Sequence, residues 1–360
     1  MKFCLYTICI SPHQLPLAQA IVKLLGEDEY RYVYVHNLDE ERVKLGWMTE
    51  RPRWMVSVEE GRHLLEECDV LMSGERDLDL FKRRSALGKR TIYCSERWFK
   101  PIGCWLGYVD GRVRMLVPRY RQMAKGIVEL VKKDKNFMLY PMGIHAARDF
   151  AWLLGCRITD FERKPGGKLS GTGKYLDKLR LWGYFVAPST AAKTTERQEW
   201  ATTSIMWAGR FLDWKRVGDL IKASGLARVK LDLYGAGPEG PRLKRMAKGM
   251  ANVSFHGAVS ISMVRELMRE HDVYVLTSNS YEGWGAVVNE ALEEGMRVIG
   301  TREAGSSATI LPEGCLYSSG RVDELVARLK GCAPRLGIGD WSPDSAALSL
   351  LKNVGVSKDN

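Results

Sequence analysis

TSNSYEGWGAVVNEA, residues 277–291, is the stretch on which the fold turns. Just before it, Val273-Tyr274-Val275-Leu276 is a short apolar run of strand-forming residues. After it, Ala286, Val287, Glu290, Ala291 and Leu292 recur at helical spacing. Gly283 and Gly285 flank Trp284 between the two. Glycine allows positive φ and lets a ligand come close to backbone amides. Free N–H groups at a helix start form an anion site. The stretch therefore reads as a strand end, a glycine turn and a helix N-terminus. Glu282 sits in the turn, and Glu290 lies in the following helix.

The same unit repeats outward in both directions. Strands are expected over residues 205–208, 229–234, 253–255 and 297–300. Helices are expected from 216 to about 223, after GAGPEG at 235–240, and over 261–270 and 322–329. Upstream, strands at 3–10, 32–35, 69–72, 91–94 and 137–140 alternate with helices at 17–25, 58–67, 78–87 and 145–154. Residues 161–174, rich in Gly and Lys, read as a loop. Alternation of this kind predicts an α/β chain with parallel sheets and helices on both faces. Ligands of such sheets lie at the C-terminal ends of the strands.

A chain of 360 residues suggests two domains. The expected division is 1–187, a polar linker at 188–203, a second domain at 204–340 and a terminal segment at 341–360. A hydrophobic content of 45% supports sizeable cores and excludes a disordered chain. No apolar run reaches the length of a membrane span. The first residues alternate like a strand rather than a signal peptide. Eight scattered cysteines, with no C-x-x-C and no His pair at metal spacing, point to a reduced, cytoplasmic protein.

The net charge of +11 is unevenly shared: residues 1–187 carry +9 and the remainder +2. The excess concentrates at Lys82-Arg83-Arg84, Lys89-Arg90, Arg112, Arg114, Arg119, Arg121, Lys125 and Lys132-Lys133-Lys135. Such clusters read either as solvated surface or as a face that meets anionic lipid or a phosphorylated acceptor. No nucleic-acid module is recognisable, and no nucleic-acid partner is expected.

Two motifs carry a resemblance. Glu282-x7-Glu290 in its EGWG setting, and Gly209-Arg210-Phe211-Leu212-Asp213-Trp214-Lys215 upstream, resemble the donor site of the retaining GT-B glycosyltransferases of family 4. The resemblance covers residues 204–330 well and residues 1–187 loosely. It implies two Rossmann-like domains facing across a cleft, with the final helix crossing back onto the first. It also implies that Arg210 and Lys215, with the Gly283-Trp284-Gly285 turn, hold the nucleotide diphosphate. Glu290 would take the ribose and Glu282 would lie against the donor sugar. Gly209, Gly235, Gly237, His256 and Gly257 would form loops beside the nucleotide. The donor implied is a UDP-sugar, the reaction a hexosyl transfer with retention, and the acceptor a glycan or lipid-linked hydroxyl. A short strand at 181–186 would mark the domain boundary.

In the first domain Ser95-Glu96-Arg97 follows a strand, where many family members place a His. Glu96 or Ser95 is expected there as a catalytic or substrate-touching group; the alternative is a Glu96–Arg97 pair bracing a loop. His13, after the first strand, is a candidate contact to acceptor or phosphate.

The chemistry suits these residue types. Negative charge builds on the departing diphosphate. Arg210 offers a planar fork of donors and Lys215 a point charge. With those cations in place no metal or other cofactor is expected. Asp77-x-Asp79 has a metal-binding pattern but flanks a helix. Gly235-Ala236-Gly237-Pro238-Glu239-Gly240 matches the dinucleotide fingerprint and makes a nicotinamide-dependent oxidoreductase the chief alternative. The acid wanted about twenty residues on is missing, since that region reads Val253-Ser254-Phe255-His256-Gly257. A non-catalytic nucleotide-sugar-binding protein is the third reading.

Overall fold

The computed structural model describes residues 1–37, 51–104, 107–190, 204–331 and 333–356. They divide into two compact units, 1–186 with 340–356, and 187–339.

The first unit is built on β1 (Phe3–Cys9), β2 (Tyr30–His36), β3 (Met55–Ser57), β4 (Val70–Ser73), β5 (Arg90–Ser95) and β6 (Phe137–Pro141). All pair in parallel, in the order β3-β2-β1-β4-β5-β6. Phe3 to Tyr6 and Val70 to Ser73 are buried on both faces, as continuous apolar runs in a covered parallel sheet must be. Helices α1 (Leu15–Leu25), α2 (Leu78–Ala86), α3 (Pro118–Lys133) and α4 (Ile144–Leu153) belong to this unit. The order of strands reverses between β1 and β4, which makes their C-terminal ends the switch point where ligands bind.

Asp77 flanks a helix as expected, whereas the expectations for Arg84, residues 161–174 and residues 181–186 are corrected. Asp77 is the N-cap of α2, its carboxylate accepting from the Leu80 amide at 2.9 Å. Arg84 lies in a basic run yet is fully buried. Its guanidinium donates to the carbonyls of Leu65, Cys68 and Arg90 and to the Thr91 hydroxyl, so it belongs to no basic face. Residues 161–174 are not all loop, because Arg157–Phe161 and Leu169–Thr172 form an antiparallel hairpin. Residues 181–186 form no strand. The Arg180 and Trp182 amides donate to Leu139 and Pro141, whereas the Leu181 amide donates to Gly167, so neither neighbour receives a full ladder.

Helix α11 (Pro343–Asn353) packs on α1 within the first unit. Trp341 donates its indole N–H to the Arg163 carbonyl at 3.0 Å, and Ser349 its hydroxyl to Pro165 at 2.8 Å.

The second unit repeats the design with β7 (Ser204–Ala208), β8 (Lys230–Tyr234), β9 (Val253–Gly257), β10 (Val273–Leu276), β11 (Arg297–Thr301) and β12 (Leu316–Tyr317). Their order is β9-β8-β7-β10-β11-β12, again all parallel. Ile205, Trp207, Leu231, Leu233, Val275 and Ile299 lie at the centre of its core. Helices α5 (Val217–Ala227), α6 (Gly240–Met246), α7 (Ile261–Glu270), α8 (Val287–Glu293), α9 (Gly305–Ile310) and α10 (Val322–Lys330) complete it. The switch point here lies between β7 and β10.

The start of the expected linker is part of this second unit. Arg265 donates to the Ala187 carbonyl at 2.8 Å, and Ser189 donates to Glu293 and Glu294 at 2.9 and 2.7 Å. The rest of the linker, 191–203, lies outside the described residues. No helix among the described residues is long and apolar enough to cross a membrane.

Candidate active site

The second switch point brings together two loops that are far apart in the chain. Residues 209–216 follow β7 and residues 277–286 follow β10. The Lys215 ammonium is ion-paired with the Glu282 carboxylate. Ser278 donates its hydroxyl to the same Glu282 oxygen at 2.9 Å, and the Lys215 ammonium lies 4.5 Å from the Trp214 ring centroid. The backbone holds this pair in place. The Asn279 amide donates to the Trp214 carbonyl at 2.9 Å, the Thr277 hydroxyl donates to the Lys215 carbonyl, and Trp207 donates to Thr277 at 3.2 Å. Lys215 and Glu282 side chains are 19% and 12% exposed, so both charges are largely withdrawn from water. Arg210 is exposed and makes no ion pair among the described residues.

The EGWG turn is shaped by its neighbours. Gly285 has φ +91°, and a Cβ there would lie 3.1–3.3 Å from Leu276, Ser306 and Glu282. The Ser306 amide and hydroxyl donate to the Trp284 and Gly285 carbonyls at 2.8 and 2.9 Å, fixing both peptide planes. The Gly283 carbonyl backs onto Gly305, where a Cβ would approach it to 2.1 Å. Trp284 takes part in the turn through its backbone alone. Its side chain is buried, and its indole N–H donates to Asn289 at 2.9 Å. It anchors the turn from inside.

Glu290 lies in α8, partly buried. Burial pushes its carboxyl up to about 7; Arg265 works against that shift and Glu294 adds to it. Arg265 is itself paired with Glu294 at 2.6 Å.

The GAGPEG glycines serve packing. A Cβ on Gly235 would come within 1.9 Å of the Gly209 carbonyl, and one on Gly237 within 2.5 Å of the Phe211 carbonyl. The Phe211 amide donates to Ala236, and the Glu239 amide donates to Phe211. The turn is a brace for the loop that carries Arg210. His256 donates to or accepts from Asp232 at 2.6 Å and stacks on Tyr234 at 4.6 Å, while Gly257, with φ +78°, is open to solvent. Burial alone raises the Asp232 carboxyl, but hydrogen bonds from His256 and Lys230 outweigh it and hold the group below its usual value.

In the first unit a cavity of about 280 Å³ opens at the strand ends, lined by Ser11, Glu75, Arg76, Ser95, Glu96 and Tyr184 among others. Glu96 accepts from the Tyr184 hydroxyl at 3.2 Å and from Lys100 at 3.1 Å. Arg97 faces Asp149 at 3.6 Å, so the expected Glu96–Arg97 pair is not formed. The Ser95 hydroxyl is occupied inside the loop, donating to the Glu96 carbonyl and accepting from Trp98. Burial lowers the His13 imidazole to about 4, so near neutral pH it can offer one ring N–H and no charge.

Comparison with known proteins bears on the same region. Residues 202–333 match the family model for glycosyl transferases group 1. The fold is that of the GT-B glycosyltransferases. HepE of Anabaena, solved with UDP, is 16% identical and superposes with a TM-score of 0.58 over 98% of this chain and 95% of its own. The lipopolysaccharide outer core galactosyltransferase WaaB is 13% identical with a TM-score of 0.60, covering 98% and 100% of the two chains. OtsA is 10% identical with a TM-score of 0.60, covering 99% and 100%. No curated protein matches by sequence.

Among the residues lining the first-unit cavity are three polar ones that the sequence reading does not single out. Glu75 and Arg76 follow β4, and Tyr184 lies in the segment expected to be a strand. Burial raises the Glu75 carboxyl, and the Arg76 guanidinium lies 5.0 Å over Trp98. The strand-end rule that singled out Ser95 and Glu96 applied equally to Glu75 and Arg76. Tyr184 had no local signal, since only tertiary packing sets it against Glu96.

Proposed function

We propose that the chain is a retaining glycosyltransferase. It moves a hexosyl group from a UDP-sugar to a hydroxyl of a glycan or lipid-linked acceptor, without a metal ion. The observation that carries this reading is the Lys215–Glu282 pair, which joins the two charged motifs at one switch point. UDP and UDP-glucose in the HepE structures support a uridine donor.

Each residue has a role in this reading. Arg210 and Lys215 neutralise the diphosphate as it takes up charge in the transition state. Without donor, Glu282 holds Lys215; with donor, the diphosphate competes for the ammonium and Glu282 turns to the sugar hydroxyls. Glu290, once ionised, accepts from the ribose hydroxyls. The bond from the anomeric carbon to the diphosphate breaks, the bond to the acceptor oxygen forms, and the departing phosphate takes the acceptor proton. Glu96, oriented by Tyr184 and Lys100, contacts the acceptor in the first-unit cavity. The protein acts in the cytoplasm, in contact with an anionic membrane.

A thermal-shift series with UDP, GDP and NAD tests the donor class. A ligand at a hundred times its dissociation constant raises stability by about 2.7 kcal/mol. A shift with UDP and none with NAD is expected. A shift with NAD alone would overturn the proposal.

A further inference from the structure

Arg265 is a largely buried cation that the donor chemistry has not yet used. It stands on α7 with its side chain only 17% exposed. One guanidinium nitrogen donates to the Ala187 carbonyl at 2.8 Å, and another pairs with Glu294 at 2.6 Å. Glu294 is enclosed, its side chain 1% exposed, and it also takes Arg269 at 3.0 Å and the Ser189 hydroxyl at 2.7 Å. A carboxylate met by two guanidinium groups and a hydroxyl stays charged and fixes where Arg265 lies. The third nitrogen of Arg265, Nε, is buried and has no acceptor among the described residues. A buried donor left idle is costly and calls for an explanation.

Helix α8 supplies one. Glu290 and Glu294 stand one turn apart, with the Glu294 amide donating to the Glu290 carbonyl at 3.0 Å. Side chains four apart on a helix are neighbours, so a guanidinium anchored on Glu294 lies on the Glu290 face. Its charge is felt there: burial opposes ionisation of Glu290, Arg265 favours it and Glu294 opposes it.

The other groups around Glu290 carry little charge toward it. On α7, Glu266 and Glu270 are exposed, and Arg269 is taken up by Glu294. Tyr274 of β10 donates to the Ala208 carbonyl at 3.2 Å, and burial holds its proton on. Helix α9 has no ionisable side chain, and β11 has Arg297 alone, at its first residue. On α8 itself Glu293 accepts from the Ser189 amide at 2.9 Å, and in the loop before it Glu282 is paired with Lys215.

We propose that Arg265 is a positioning residue for the donor site: Glu294 holds its guanidinium beside Glu290, where it supplies the positive charge and the spare N–H that let the Glu290 carboxylate form inside the fold. Glu294 acts through Arg265 and Arg265 through Glu290, and neither touches substrate. Their importance for donor binding rests on the ribose contact proposed for Glu290. A merely structural pair, tying residues 187–189 to α8, would cost stability when broken and leave the ionisation of Glu290 where it was.

A carbon NMR titration of protein labelled in its glutamate carboxyls tests this without any ligand, with Glu290→Gln identifying the resonance. The parental midpoint is expected at about 7. Arg265→Met should raise it by about one pH unit, and Glu294→Gln should lower it by about as much. Arg265→Lys keeps the charge and should stay nearer the parent than Arg265→Met does. Opposite shifts from the two halves of one ion pair are not the result of a loosened fold, which moves both variants the same way. Unmoved midpoints, or shifts of one sign in both variants, overturn the proposal. If Arg265→Met does not fold, a midpoint that fails to fall in Glu294→Gln overturns it alone. Calorimetry with UDP-glucose over the same pH range is read separately. Midpoints that move as expected, with donor binding that is absent or ignores pH, would support the Arg265 assignment and remove Glu290 from the ribose.

Discussion

Lys215 and Glu282, 67 positions apart in the chain, are ion-paired at the C-terminal ends of two adjacent parallel strands. The pair is held from behind by Thr277, Ser278 and the Asn279 amide, so its place is set before any ligand arrives. Preorganised charge of this kind is worth most where water is excluded.

Loss of either cation should therefore be felt mainly in turnover. Arg210→Ala and Lys215→Ala should each cut kcat/KM by roughly 10²–10³, the scale seen when a charge-stabilising donor is removed. Arg210 is exposed, so its variant should keep the parental melting temperature, within about 0.5 kcal/mol in stability. Steady-state kinetics with a UDP-sugar make the check, and near-normal turnover in both variants would remove them from the mechanism.

Glu290 predicts a pH dependence of donor binding. Its carboxyl rises from 4.5 to about 7, chiefly through burial. An ionised carboxylate is the form that accepts from ribose hydroxyls, so affinity for UDP-glucose should climb with pH up to about 7 and then level off. UDP-glucose is the ligand to use, because a terminal phosphate titrates near pH 6 itself. Stability runs the other way. A raised folded-state value favours the neutral form, a contribution present below about 4.5 and lost as pH passes 7. Calorimetric titration of the parent and of Glu290→Gln from pH 5.5 to 8.5 decides it; a flat parental profile would refute the assignment.

Trp284 separates packing from contact. Truncation to Ala should lower stability by about 3–5 kcal/mol, the usual cost of emptying a buried aromatic site. Trp284→Phe keeps most of the volume, and once folded it should bind UDP nearly as well as the parent. A large loss of affinity with an unchanged melting temperature would return the indole to the ligand site.

What was legible in the chain follows from these cases. Parallel strands buried on both faces must be apolar runs, and the runs at 3–9, 70–73, 205–208 and 273–276 declare themselves. The charged motifs were also legible, because strand ends are where a doubly wound sheet places ligands. Burial of polar or charged groups was not. Arg84 reads as surface within Lys82-Arg83-Arg84, and only carbonyls from other elements reveal that it is enclosed. Trp284 between two glycines gives no local sign that its indole is enclosed, where it donates to Asn289. Helix α3 is legible too, since Ala124, Ile127, Leu130 and Val131 recur at helical spacing among its Lys and Arg.

Metal independence makes a sharp expectation. Arg210, Lys215 and the backbone of the turn supply the positive potential in the proposed reaction. Turnover should persist in excess EDTA. Loss of activity that magnesium or manganese restores would show that a cation shares the load with these residues.

The last prediction concerns the glycine turn that imitates a dinucleotide site. Gly235 sits so close to the Gly209 carbonyl that a methyl group would lie 1.9 Å from it, and backbone cannot yield as a flexible side chain does. Gly235→Ala must therefore push the Gly209–Phe211 segment outward, and Arg210 moves with it. The expected result is a weakened thermal response to UDP together with a modest fall in melting temperature. NAD should give no response in either parent or variant. A cofactor-binding role predicts another pattern, a response to NAD in the parent that the variant loses while UDP does nothing in both. The two patterns share no common outcome, so one titration series separates a brace for the diphosphate loop from a nicotinamide site.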